Sequence, residues 1–149
     1  MTSDKIKEMM DACYQAKRVR DLMPRLPDGV TSAYIRYIDR IGRLAEKNKP
    51  VKISDISNDL GLPKPGVTRT INEMVEKGYL KKQASNDDGR ITYITITKKG
   101  EELSEKYIEK FYKCLYGYLE DVSDEDADVA IRTIEKLYVV MSERKIEIG

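Results

Sequence analysis

The sequence predicts a mainly α fold with one small β-hairpin, an α+β arrangement, and three observations support it. Apolar residues recur at three- and four-residue steps through most of the chain. A single pair of strand-like runs, "YLKKQAS" and "ITYITIT", is joined by the turn-forming "NDDG". Glycine and proline clusters, "PRLPDG", "NKP" and "GLPKP", punctuate the helical stretches.

Residues 4–23 read as a helix, with Ile6, Met9, Met10, Cys13, Ala16, Val19 and Met23 along one stripe. "PRLPDG" ends it, because proline cannot continue a helix and Asp-Gly favours a turn. A second helix runs from about Thr31 to Lys47, carrying Ile35, Ile38, Ile41 and Ala45. After "NKP", the run "VKISDISNDLGL" supplies a short helix with Ile53, Ile56 and Leu60 inward and Gly61 as its stop. A fourth helix starts at Lys64 or Pro65, since a first turn tolerates proline, and ends at Gly78. Val67, Ile71, Met74 and Val75 form its buried stripe. The hairpin follows. Thr97 is placed to cap the next helix, whose positive end suits Glu101 and Glu102 and whose stripe is Leu103, Tyr107, Phe111, Leu115 and Tyr118. "SDED", residues 123–126, opens a last helix whose stripe is Ala127, Ala130, Ile131, Ile134, Leu137, Tyr138 and Met141.

At 149 residues, 40% hydrophobic and 36% charged, the chain suits one soluble domain, 1–149, with enough apolar side chains for a core. No apolar stretch is long enough to span a membrane, and "MTSDKIKEMMDA" does not read as a signal peptide, so a cytoplasmic protein with no membrane partner is expected. Two cysteines, Cys13 and Cys114, are too few for a disulfide framework. Histidine is absent, which removes Ser-His-Asp and Cys-His catalysis and most zinc sites. Neither an enzyme nor a resident metal or cofactor is expected.

Net charge is only +1, but it is unevenly spread. Residues 63–100 hold eight Lys/Arg against four Asp/Glu, and residues 119–149 hold four against nine. A basic middle beside an acidic tail fits one face built for an anionic partner, with chance clustering as the plain alternative.

"GLPKPGVT" matches the G-x-x-x-x-G-x-T spacing of a phosphate loop, but Val67 stands where its lysine must be and no strand precedes Gly61. A helix-turn-helix fits better. With Val67, Ile71 and Met74 buried, the fourth helix turns Gly66, Thr68, Arg69 and Asn72 outward. In a major groove arginine can pair with guanine, asparagine with adenine, and threonine with a phosphate or a thymine methyl. This helix alone leaves open whether those residues meet DNA or only water. The hairpin favours DNA: a basic tip beyond a helix-turn-helix is a wing, and Arg90 is long enough to enter a minor groove. Lys81, Lys82, Lys98 and Lys99 flank it and can reach phosphates.

Here the chain resembles the MarR family of bacterial transcription regulators. The "LG…VTR…EKG" run stands as Leu60, Gly61, Val67, Thr68, Arg69, Glu76, Lys77 and Gly78. The wing signature stands as Asp88, Arg90, Thr97 and Gly100. The resemblance implies a winged helix-turn-helix core at 31–100, and interlocking dimerisation helices at 1–30 and 101–149. It also implies a homodimer on a palindromic operator in double-stranded DNA. The candidate contact set is Ser54, Lys64, Pro65, Gly66, Thr68, Arg69, Asn72, Asp88 and Arg90, with Asp88 placed to steady Arg90. Two departures stand out. Pro63, Pro65 and Gly66 replace the family's Ser or Thr around the recognition helix, removing a side-chain cap, and Lys52 replaces a Thr near the start of the short helix.

Similar proteins release DNA on binding small aromatic acids. Tyr34, Tyr37, Tyr112 and Tyr116 can line a cleft for such an effector or simply belong to a core. Some relatives sense peroxide through a first-helix cysteine, and Cys13 is either such a sensor or an inert thiol. A function of another class also fits: a winged-helix module that holds a protein partner without binding DNA.

Overall fold

The computed structural model describes residues 1–47, 50–87 and 89–149. It divides into two compact units, Met1–Ile108 and Glu109–Gly149.

The first unit opens with α1 (Ser3–Asp21), capped by Thr2, whose hydroxyl accepts from the Lys5 amide at 3.1 Å. None of its residues is buried. Helix α2 (Ser32–Lys47) is the centre of the core, with Tyr34, Tyr37, Ile38 and Ile41 buried. Tyr34 and Tyr37 are thus core residues, as one of the two sequence readings held. Helices α3 (Ile53–Leu60) and α4 (Lys64–Glu76) follow, and Ile56, Val67, Ile71 and Met74 are fully excluded from solvent. Burying side chains of this kind is worth about 1.5–3 kcal/mol each. This cluster fixes the angle between the two helices.

The hairpin expected from "YLKKQAS" and "ITYITIT" appears as β2 (Leu80–Ala84) and β3 (Thr92–Ile96), with Lys82 opposite Ile94. A third strand joins it. β1 (Val51–Lys52) pairs antiparallel with β3 through Val51–Ile94 and Lys52–Tyr93, giving the order β1-β3-β2. The sequence reading took Val51 and Lys52 as the lead into a helix. Two residues carry no periodicity, and their strand character comes only from a partner some forty positions away.

Past the hairpin the expected single helix is divided into α5 (Lys98–Ser104), a π turn (Glu105–Lys110) and α6 (Phe111–Tyr118). Within this wider i→i+5 turn the adjacent Tyr107 and Ile108 are both buried.

In the second unit, Ser123 caps α7 (Asp124–Arg144), accepting from the Asp126 amide at 3.1 Å. Neither α6 nor α7 contains a buried residue, and Ile131, Ile134, Tyr138 and Met141 are all more than half exposed. No helix among the described residues is long and apolar enough to cross a membrane.

Candidate nucleic-acid interface

The turn between α3 and α4 is set by one backbone conformation and two hydrogen bonds. Gly61 takes the left-handed conformation (φ 64°), the Leu62 amide reaches back to Ser57 O at 3.2 Å, and Ser57 Oγ donates to Leu62 O at 2.6 Å. Helix α4 then begins without a side-chain cap: Pro63 precedes it and Pro65 lies in its first turn. The helix therefore starts with no capping side chain from the preceding residue at its positive pole. Pro65, Arg69 and Asn72 are exposed on the side opposite the buried stripe, and Gly66 and Thr68 are half-buried beside them.

A polar knot anchors the far end of α4. The buried Tyr34 ring sends its hydroxyl to Glu73 Oε2 (3.1 Å) and accepts from Lys77 Nζ (3.1 Å). Lys77 also donates to Gly29 O at 2.9 Å. The Tyr34 hydrogen bond, helped by the charge of Glu73, raises the Lys77 pKa above its ordinary value.

The wing is joined to α5 by one threonine. Thr97 donates its hydroxyl to Gly78 O (2.6 Å) and accepts from the Gly100 amide (3.1 Å), while its own amide reaches Tyr79 O (3.2 Å). Gly100 is required by this close approach, because a methyl group there would stand 2.3 Å from Tyr79 O. The Thr and Gly of the wing signature are thus a joint. At the other end of the hairpin the Ser85 amide reaches Ile91 O at 2.8 Å, so Arg90 lies immediately outside the closed ladder.

Three expected contact residues meet in one place. Ser54, Lys64 and Arg90 line a cleft of about 250 Å³ together with Lys52, Ile53, Ile91 and Thr92. Three cations and a hydroxyl around so small an opening suit an anionic oxygen cluster such as a phosphate. Arg69 and Asn72 are not in this cleft, and Asn72 is instead met by Lys82, whose Nζ donates to Asn72 Oδ1. Asp88, expected to steady Arg90, lies outside the described residues. Lys52 was absent from the expected contacts. Its only signal was that it stands where similar chains carry Thr. Cys13 is half-buried and Cys114 exposed, both as free thiols. No group of three or more potential metal ligands occurs among the described residues.

Comparison with known proteins agrees with this fold. Residues 28–91 match a family model described as the MarR family. The HTH-type transcriptional regulator YwhA of Bacillus subtilis is 24% identical over 115 residues, 77% of this chain and 78% of its own. The transcriptional repressor MprA of Escherichia coli is 24% identical over 93 residues, which cover 62% of this chain but only 53% of MprA. Among solved structures, FabT of Streptococcus pneumoniae in complex with DNA superposes with a TM-score of 0.67 at 24% identity, covering 95% of this chain and 99% of FabT. The MepR–DNA complex of Staphylococcus aureus gives 0.61 at 14% identity, with 95% and 99% covered. At these identities the structural likeness is one of fold. The fold and the matched segment agree: residues 28–91, a little under half of the chain, are similar to the MarR family, and the chain has the winged-helix fold of the regulators solved in that group.

Proposed function

We propose that the chain acts in the cytoplasm as a homodimeric repressor that binds a palindromic operator and lets go when a small aromatic effector binds. In this reading residues 31–100 hold the DNA, while residues 1–30 and 101–149 pair the protomers. The observation that carries it is the cleft uniting Lys52, Ser54, Lys64 and Arg90. It places three cations beside the positive end of α4, where a backbone phosphate gains both from charge and from helix amides. Arg69 and Asn72 then face the base edges, with Thr68 and Gly66 beside them and Pro65 at the entry turn.

Pairing of protomers is supported by the unburied stripes of α1 and α7. Ile6, Met10 and Val19 on the first, and Ile131, Ile134 and Met141 on the second, are 40–61% exposed in the single chain. An apolar surface of that extent marks an interface. The effector proposal is supported by Tyr112 and Tyr116, which are exposed, whereas Tyr34 and Tyr37 are committed to the core.

The test is binding to random duplex DNA across a salt series, followed by selection of bound sequences from a random pool. Each neutralised phosphate contributes a slope of about −0.9 in log K against log salt, so several contacts give a steep fall. A recovered palindrome establishes the dimeric operator. No measurable binding at low salt would overturn the proposal and favour a protein-interaction module.

A further inference from the structure

An asparagine on a recognition helix ordinarily reads adenine: its amide oxygen accepts from N6 and its NH2 group donates to N7. In this chain the amide is already engaged. Lys82, on edge strand β2, donates through Nζ to Asn72 Oδ1 on α4. Lys82 shares a strand face with Leu80, two positions earlier, which is buried, and that register aims the lysine at α4. An ammonium carries three donors and no acceptor, so the contact fixes the amide with its oxygen toward Lys82 and its NH2 group away. Oδ1 keeps a second lone pair, but a base donor using it would bring its hydrogen against a full positive charge.

We propose that Lys82 and Asn72 form one donor-only reading unit on α4 that selects guanine over adenine. Guanine presents two acceptors in the major groove, O6 and N7, and adenine presents one acceptor and one donor. Both side chains are exposed, so water would satisfy either of them alone. Fold stability therefore gains little from the bond, and its main effect is on which hydrogen-bonding groups α4 displays. This inference rests on the proposal that α4 enters the major groove.

The experiment is random-pool selection at one salt concentration with wild type, Asn72→Ala and Lys82→Met. Relative affinities are then measured for duplexes differing only at the position sensitive to Asn72. Wild type is expected to favour guanine there by about tenfold, Asn72→Ala to lose the preference, and Lys82→Met to turn it toward adenine. Lys82→Met also removes a positive charge, and any general loss of affinity to phosphates is the same for both duplexes and cancels when they are compared. Adenine recovered by wild type at that position, or guanine retained by Lys82→Met, would overturn the inference. So would an Asn72→Ala profile identical to wild type. A wild type that binds no duplex at low salt would instead sink the DNA reading, and this inference with it, before any base preference is compared.

Discussion

Replacing Gly100 with alanine tests the joint between wing and α5. The added methyl would stand 2.3 Å from Tyr79 O and 2.7 Å from Ile96 Cγ2. An ordinary carbon–oxygen contact is roughly 3.3 Å, so about 1 Å of movement is required. If Tyr79 retreats, its carbonyl leaves the Thr97 amide, now at 3.2 Å, and if α5 tips outward, the Gly100 amide leaves Thr97 Oγ1. Overpacking costs about 1–3 kcal/mol and the lost hydrogen bond about 1 kcal/mol. Alanine's better helix propensity returns about 0.5–1 kcal/mol. The net expectation is a loss of about 2 kcal/mol, which lowers a urea midpoint by about 1 M when m is near 2 kcal/mol/M. Urea unfolding at one fixed protein concentration measures it. Thr97→Val, which removes both hydroxyl contacts without crowding, should lose about 1–2 kcal/mol in the same assay. A Gly100→Ala midpoint within roughly 0.2 M of wild type would refute the reasoning, because α5 would then ride freely on the hairpin.

Arg69→Ala should weaken operator binding more than binding to random DNA, by about 1–3 kcal/mol, and an equal loss on both would make Arg69 a phosphate contact. Arg90→Ala should bind less tightly and respond less to A·T content at the operator flanks, since an inserted arginine reads groove width and potential. Wild-type affinity for both A·T-rich and G·C-rich flanks would make Arg90 an ordinary surface charge. Changing Ile134 and Leu137 together to glutamate should give monomers or aggregates, as each buried apolar side chain is worth about 1.5–3 kcal/mol, and an unchanged dimer in sedimentation would contradict the interface. Lys77 holds its proton more tightly folded than unfolded, so its contribution is fully present below the ordinary value of 10.5 and lost as pH rises through the higher folded value. The stability gap between wild type and Lys77→Met should therefore close above pH 10.5, and a gap independent of pH there would exclude the charged knot.

Local signals were legible in the sequence and long-range ones were not. Val67, Ile71 and Met74 announced the buried side of α4 because a helix repeats its face every three or four residues. Gly61 and Thr97 announced a stop and a cap through chemistry confined to four residues. Val51 and Lys52 announced nothing, since a two-residue strand exists only through its partners Ile94 and Tyr93. The π turn was hidden because four-residue steps from Leu103 to Leu115 read equally well as an ordinary amphipathic helix. At the interface, the outward residues of α4 followed from its buried ones. The meetings of Lys52 with Arg90 around one cleft, and of Lys82 with Asn72, depend on how strands and helices pack. No spacing along the chain encodes them.

The strand order β1-β3-β2 leaves two open edges, and each is guarded against self-association. On one side β1 is only two residues long, too short to template another strand. On the other, β2 carries consecutive exposed lysines, Lys81 and Lys82. A second copy docking antiparallel along β2 would bring like charges across the new ladder, which is destabilising. The positive charges of β2 thus keep the sheets of neighbouring molecules from zipping together. Neutralising Lys81 and Lys82 would leave the core intact and yield a protein that clumps while still folded.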